Sequence, residues 1–272
     1  SYCRMNIFDF SKSEKKSNKI EEFKSKNNRY KDKFNRYRFL MKNNSHENIL
    51  VATYLIAIIV EYLNYGEAVQ SLECEHNPQR NSLLEEIYRE IERCLYLDPK
   101  KFIFDKIHDE DKKYYNSNDI VDETPLEIDI NKFPILLNPW KGIRIVANLL
   151  SINESNNFDG LSNSQNVQNY FLYPMDLIIC DGGNHSQFAA RFKNQGKTII
   201  KEIHDYSLLY TKIEFDGVNY ISKEDNSIIK LKYDEEVFFY SGVIFELGRY
   251  LLDSKYHRLT FSQKDINNIF FR

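Results

Sequence analysis

Residues 176 to 203, DLIICDGGNHSQFAARFKNQGKTIIKEI, change character in a fixed order: an apolar run, a glycine pair, polar groups, helical spacing and a second apolar run. That order predicts strand, tight turn, helix and strand. Leu177, Ile178, Ile179 and Cys180 read as a short buried strand, Gly182 and Gly183 permit positive φ and close backbone approach, and Phe188, Ala189 and Phe192 recur at helical spacing. Such a turn leaves N–H groups unpaired at a helix start, where a phosphate or carboxylate can bind. The competing reading is a plain tight turn.

Upstream, LEIDINKFPILLNPWKGIRI carries Asn138, Pro139 and Arg144, and the later run carries Gly182, Gly183, Asn184, His185, Ala189, Ala190 and Ile199. On these residues the segment 126 to 203 resembles the ParB/sulfiredoxin superfamily: a strand to an Asn-Pro turn with a nearby Arg, a helical spacer, a second strand, a glycine loop, a helix with small residues and a closing strand. The Gly-Gly-Asn-His run is similar to the Gly-Gly-Cys-His-Arg loop of sulfiredoxins, and the spacing to Lys197-Thr198-Ile199 is similar to that of ParB proteins. The run GGNHS also resembles a loop of an uncharacterised bacterial family. The superfamily resemblance implies a nucleoside triphosphate held by the loop, with Mg2+ as its companion. Two positions depart from the pattern. Asn184 stands where sulfiredoxins carry the attacking cysteine, which excludes sulfinic acid repair. Ser186 stands where they carry the loop arginine, so Arg144 or Arg191 must supply the charge that a bidentate donor would give.

At 272 residues, with 42% apolar and 14% aromatic side chains, the chain can bury one large core or two modest ones, and disorder is not its main state. A net charge of −3 gives no global attraction to nucleic acid. Between Lys12 and Lys42, however, twelve Lys and Arg face four Asp and Glu. Ile20, Phe23, Tyr30, Phe34, Tyr37 and Met41 recur there three to four residues apart or in multiples of that spacing, which predicts an amphipathic helix with outward charges; a nucleic-acid arm is the alternative. Cys3, Cys74, Cys94 and Cys180 form no paired motif, so a reducing compartment is expected and no metal site is read, the pair Cys74 and His76 being too few ligands. No secretory signal is visible. The apolar window ILVATYLIAIIV at 49 to 60 is too short to cross a bilayer. A soluble cytoplasmic protein without a membrane partner, open to homo-oligomerisation, is the expectation.

The fold class expected is α+β: a helical region over 1 to 110 and a small mixed sheet of ParB/sulfiredoxin type with a C-terminal helix over 111 to 272. Helices are predicted near 15 to 43, 47 to 64 and 82 to 97, the last opened by Ser82 and Glu85 in capping-box spacing. The polar stretch 109 to 125 reads as a linker, and 152 to 166 as a polar loop, either a lid or a mobile insertion. Asp216-Gly217 predicts a type I′ hairpin turn within 212 to 222, Val237 to Leu252 a helix, and the terminal IFF a docked end.

For chemistry, His185 is the candidate hydrogen-bond donor or base, Asp181 a magnesium ligand or loop anchor, Asn184 an orienting amide, and Ser186 a phosphate contact. Glu202 shares a strand face with His204, beside Asp205, and could complete an acid/base or metal site. Arg144 is the chosen second phosphate contact; Trp140 stacks on a base or fills core. The function expected is nucleotide binding with phosphoryl transfer or phosphodiester hydrolysis, as an ATPase, nucleotide kinase or nuclease, in a bacterial defence or toxin setting. The rival is a non-catalytic module sensing a nucleotide or nucleic acid, with the helical region binding a protein partner.

Overall fold

A computed structural model describes residues 7–75, 77, 79–104, 120–121, 125–256 and 258–259. Three helices come first: α1 (Ile7–Asn43), α2 (Asn48–Glu73) and α3 (Leu83–Cys94). The strands β1 (Lys100–Phe104), β2 (Ile120–Val121), β3 (Leu126–Asp129) and β4 (Ile135–Leu136) lead to α4 (Gly142–Ser151). After β5 (Phe158–Asp159), β6 (Gln168–Tyr173) and β7 (Leu177–Gly182), helix α5 (Asn184–Lys193) runs into β8 (Gly196–Ile200) and β9 (Glu202–Asp205). A short turn of helix α6 (Leu209–Lys212), the hairpin β10 (Ile213–Phe215) and β11 (Tyr220–Ser222), and α7 (Glu235–Asp253) close the chain. The class is α+β.

Six strands form the central sheet in the order β2-β1-β9-β6-β7-β4, and β3-β8-β5 form a second. Period-two alternation divides the central sheet between two cores. Leu136, Leu172, Leu177 and Ile179 point to one side, where α2, α3, α7 and the C-terminal half of α1 cover them. Ile135, Phe171, Ile178, Cys180 and Ile203 point to the other, against α4, α5 and the second sheet. The apolar run of β7 is thus continuous because both of its faces are buried.

Several expectations change. The apolar helix is longer than the window suggested: Ser45–Glu73 is long and apolar enough by composition to cross a membrane, yet Ala52, Ile56, Ile59, Val60 and Leu63 of α2 pack into the core. The capping box does not form. Ser82 donates to the Gln79 carbonyl, while Glu85 turns inward and accepts from the Tyr206 hydroxyl at 2.8 Å. The region 1 to 110 is not wholly helical, because β1 pairs with β9 and β2. The expected strand from Thr198 breaks at Lys201, and β8 and β9 belong to different sheets. In the hairpin, Asp216 and Asn219 pair, so Gly217 and Val218 are central; only Gly217 has positive φ, which excludes type I′. The stripe of α1 is buried only in its second half. Phe34 and Met41 lie in the core, whereas Ile20 and Phe23 stay exposed. All but residues 120, 121 and 125 of the expected linker, together with Cys3, His76 and the terminal IFF, lie outside the described residues.

Candidate functional site

Strand β7 delivers the chain to Gly182, where an added Cβ would meet the Asn166 carbonyl oxygen at 2.7 Å, and to Gly183, which is left-handed at φ +84° and caps α5. The first helical bond runs from Gln187 N–H to the Gly183 carbonyl at 3.0 Å. The N–H groups of Asn184, His185 and Ser186 precede it and point with the positive end of the helix. What fixes this helix start is a buried knot of amides. Gln187 Nε2 donates to Asn169 Oδ1 at 3.0 Å, and Gln187 Oε1 accepts from Asn169 Nδ2 at 3.0 Å and from the Thr198 hydroxyl at 2.6 Å.

The Asn-Pro turn is tied to the glycine turn by two hydrogen bonds. Asn138 N–H donates to Asn184 Oδ1 at 2.7 Å, and Lys141 N–H donates to His185 Nε2 at 3.1 Å. The second bond places the start of α4 beside α5. Arg144, one turn into α4, then lies over the Trp140 ring at 5.4 Å, and Trp140 meets the His185 ring edge to face at 5.4 Å. The result is a cleft of about 520 Å³ whose walls include Trp140, Arg144, Asn166, Asp181 and the turn from Gly182 to Ser186.

Its lining carries one guanidinium, Arg144, and one carboxylate, Asp181, beside the start of α5. Burial, and then the charges of Arg144 and Lys141, push His185 down to about 4, so the ring is neutral near pH 7. With Nε2 accepting from Lys141, the proton resides on Nδ1. His185 is therefore a donor; its basic lone pair is already engaged. Ser186 donates to the Gly183 carbonyl at 3.1 Å, so its hydroxyl completes the helix start. Asp181 is exposed at the end of β7, and the Tyr170 hydroxyl donates to it at 3.4 Å. No group of three or more His, Cys, Asp or Glu side chains able to hold a metal occurs among the described residues. As the cleft's one carboxylate, Asp181 suits a cation that arrives with a phosphate, the usual mode for magnesium.

A family model matches residues 12–258. The chain belongs to the DUF6710 family. That family is described as one of unknown function, so membership brings no activity with it. No curated protein and no solved structure matches the chain.

In this DUF6710 protein seven of the nine expected site residues, Arg144, Asp181, Gly182, Gly183, Asn184, His185 and Ser186, meet in one cleft. Arg191 does not. Its guanidinium donates to the carbonyls of Ile130 at 2.7 Å and Phe133 at 2.8 Å and pairs with Glu61, which makes it the pin between α5, α2 and the turn before β4. Glu202 is also elsewhere. It accepts from His204 at 2.8 Å, and the other ring nitrogen of His204 meets Glu85, in a buried network between β9 and α3. Burial disfavours the imidazolium there, but the two carboxylates outweigh it and hold His204 above its usual value, while burial is likewise overcome at Glu85, held low by His204. Gln187 and Asn169 went unread in sequence, since a buried amide pair 18 residues apart leaves no periodic trace.

Proposed function

We propose that the cleft between α4 and α5 binds the phosphate of a nucleotide, and that binding rather than bond cleavage is its primary act. The observation that carries this reading is the convergence of the free start of α5, the Arg144 guanidinium and the neutral His185 donor on one opening. Backbone N–H groups and a helix dipole suit an anion, and Arg144 supplies the charge that Ser186 does not. The resemblance to ParB and sulfiredoxin proteins supports a triphosphate with Mg2+ as the ligand. The free thiols Cys74, Cys94 and Cys180 support a cytoplasmic setting. A second reading, nucleotide or phosphodiester hydrolysis, is favoured by Asp181, which stands where a cation carried by the ligand would sit.

Thermal unfolding of the full chain with each of the four nucleoside triphosphates, and with inorganic phosphate, each with and without magnesium, tests the reading. Ligand at a hundredfold excess over Kd should raise Tm by roughly 5–10 °C. Arg144→Ala should abolish the rise and leave the unliganded Tm in place. No rise with any triphosphate would sink the proposal. Release of phosphate that vanishes in Asp181→Asn would establish the second reading.

A further inference from the structure

The outer face of α2 carries an apolar row that is open along most of its length, with Tyr62 meeting Tyr240 of α7 and Tyr65 meeting Phe188 of α5 at its edges. Leu50, Tyr54, Ile58, Tyr62, Tyr65, Val69 and Leu72 are each about half exposed or more, the range being 46% to 64%. From Ile58 onward the spacing alternates four and three, the seam by which one helix lies along another. The row continues onto α4, because the two helices touch where Gly142 faces the Ser71 carbonyl; a Cβ there would stand 2.5 Å from that oxygen. On α4, Ile143, Val146 and Leu150 are exposed, Leu150 by 78%.

The chemistry of the row selects among occupants. Between Asn48 and Glu73 the ionisable groups are Glu61, Glu67, Glu73 and tyrosines, with no Lys or Arg. An anionic lipid surface or nucleic acid wants cations along the row itself, and Arg144 of α4 faces the cleft instead. A charged protein partner would need a counter-charge to recognise, and the one acidic group beside the row's centre, Glu61, is already neutralised by Arg191. A two-fold axis imposes the opposite demand: residues near it meet their own copies, so charges there would repel and an uncharged row is what the symmetry allows. The size also fits. Ten large side chains about half exposed amount to an area on the order of 800 Å², and a stable interface uses about 800 Å² per partner.

We infer that this face is the interface of a homodimer, α2 lying against α2 of a second copy, with Ile143, Val146 and Leu150 at its margin. The inference is independent of what the cleft binds. Sedimentation velocity of the full chain over a range of micromolar concentrations should show a species of twice the 32.5 kDa protomer mass. Ile58→Glu and Leu72→Glu should each shift it to the protomer by at least tenfold in dissociation constant, with the circular dichroism of the parent retained. Tyr96→Glu, at a site just past the end of α3 that is 96% exposed, should leave the dimer intact. If the glutamate variants lose their fold, Ile58→Ser and Leu72→Ser make the same test at lower risk. A protomer at every concentration would overturn the inference. So would a dimer indifferent to Ile58 and Leu72, or flotation of the chain with uncharged phosphatidylcholine vesicles through the same row.

Discussion

His185 illustrates how far a single residue can be read before its neighbours are known. Its place after two glycines marks it as a site residue, but its role follows from Lys141, whose N–H occupies the nitrogen that a general base would need. His185→Ala should therefore weaken phosphate binding and also cost about 1–3 kcal/mol, since it leaves a backbone donor without its acceptor; chemical denaturation of the two proteins measures this. The linkage sign is fixed by its low value. The folded ring titrates near 4 and the unfolded one near 6.5, so its contribution is present above pH 6.5 and is lost as pH falls toward 4. Glu92 acts in the other direction. Burial raises it to about 7 against the pull of His204, so the folded protein holds a proton that the unfolded chain releases near 4.5, and stability falls as pH rises from 4.5 to 7. Glu92→Gln should raise urea resistance at pH 8 and change it little at pH 4.5. Residue types marked the cleft because a glycine pair restricts what can follow it. They did not separate Arg144, which faces the cleft, from Arg191, which is claimed by a glutamate 130 residues away.

At the level of elements, periodicity located the long helices because their buried faces repeat over many turns. It failed where an element is short or serves two neighbours. β6 is one of the two middle strands of its sheet, yet QNYFLY mixes a buried Asn169 with residues on both cores and presents no alternation of polar and apolar. The break at Lys201 is equally silent, since the apolar run on either side gives no reason to change sheets. The apolar stripe of α1 reads in sequence as one buried face, and the molecule covers half of it. Phe34 packs edge to face with Phe215 at 5.5 Å, so Phe34→Ala should cost about 3–5 kcal/mol. Phe23→Ala, at 63% exposure, should change stability by less than about 0.5 kcal/mol. Equal losses in the two variants, measured by denaturant midpoint, would mean that the N-terminal half of α1 is packed as well.

The whole molecule is organised by a sheet with a core on each face, and the helices from the first half of the chain share one of those cores with α7. Composition and the run of helices followed by strands made the α+β class legible. The pairing of the two halves was not, because contacts between remote segments leave no local pattern. A division at residue 110 accordingly gives two pieces with open faces: residues 1–110 produced alone should lack a cooperative melt, whereas the full chain should unfold in one transition by calorimetry.

Ile56, Ile59 and Val60 of α2 share a buried core with Val243, Ile244 and Leu247 of α7, and the Tyr88 hydroxyl of α3 donates to the Ser241 carbonyl across 153 residues. During synthesis, then, α2 leaves the ribosome long before the helix that shelters its inner side. For most of translation it carries apolar surface on both sides, one awaiting α7 and the other a second chain. Such a nascent chain is a natural client for chaperones. Its yield should depend on how quickly the last helix is made, more than on any property of the finished fold.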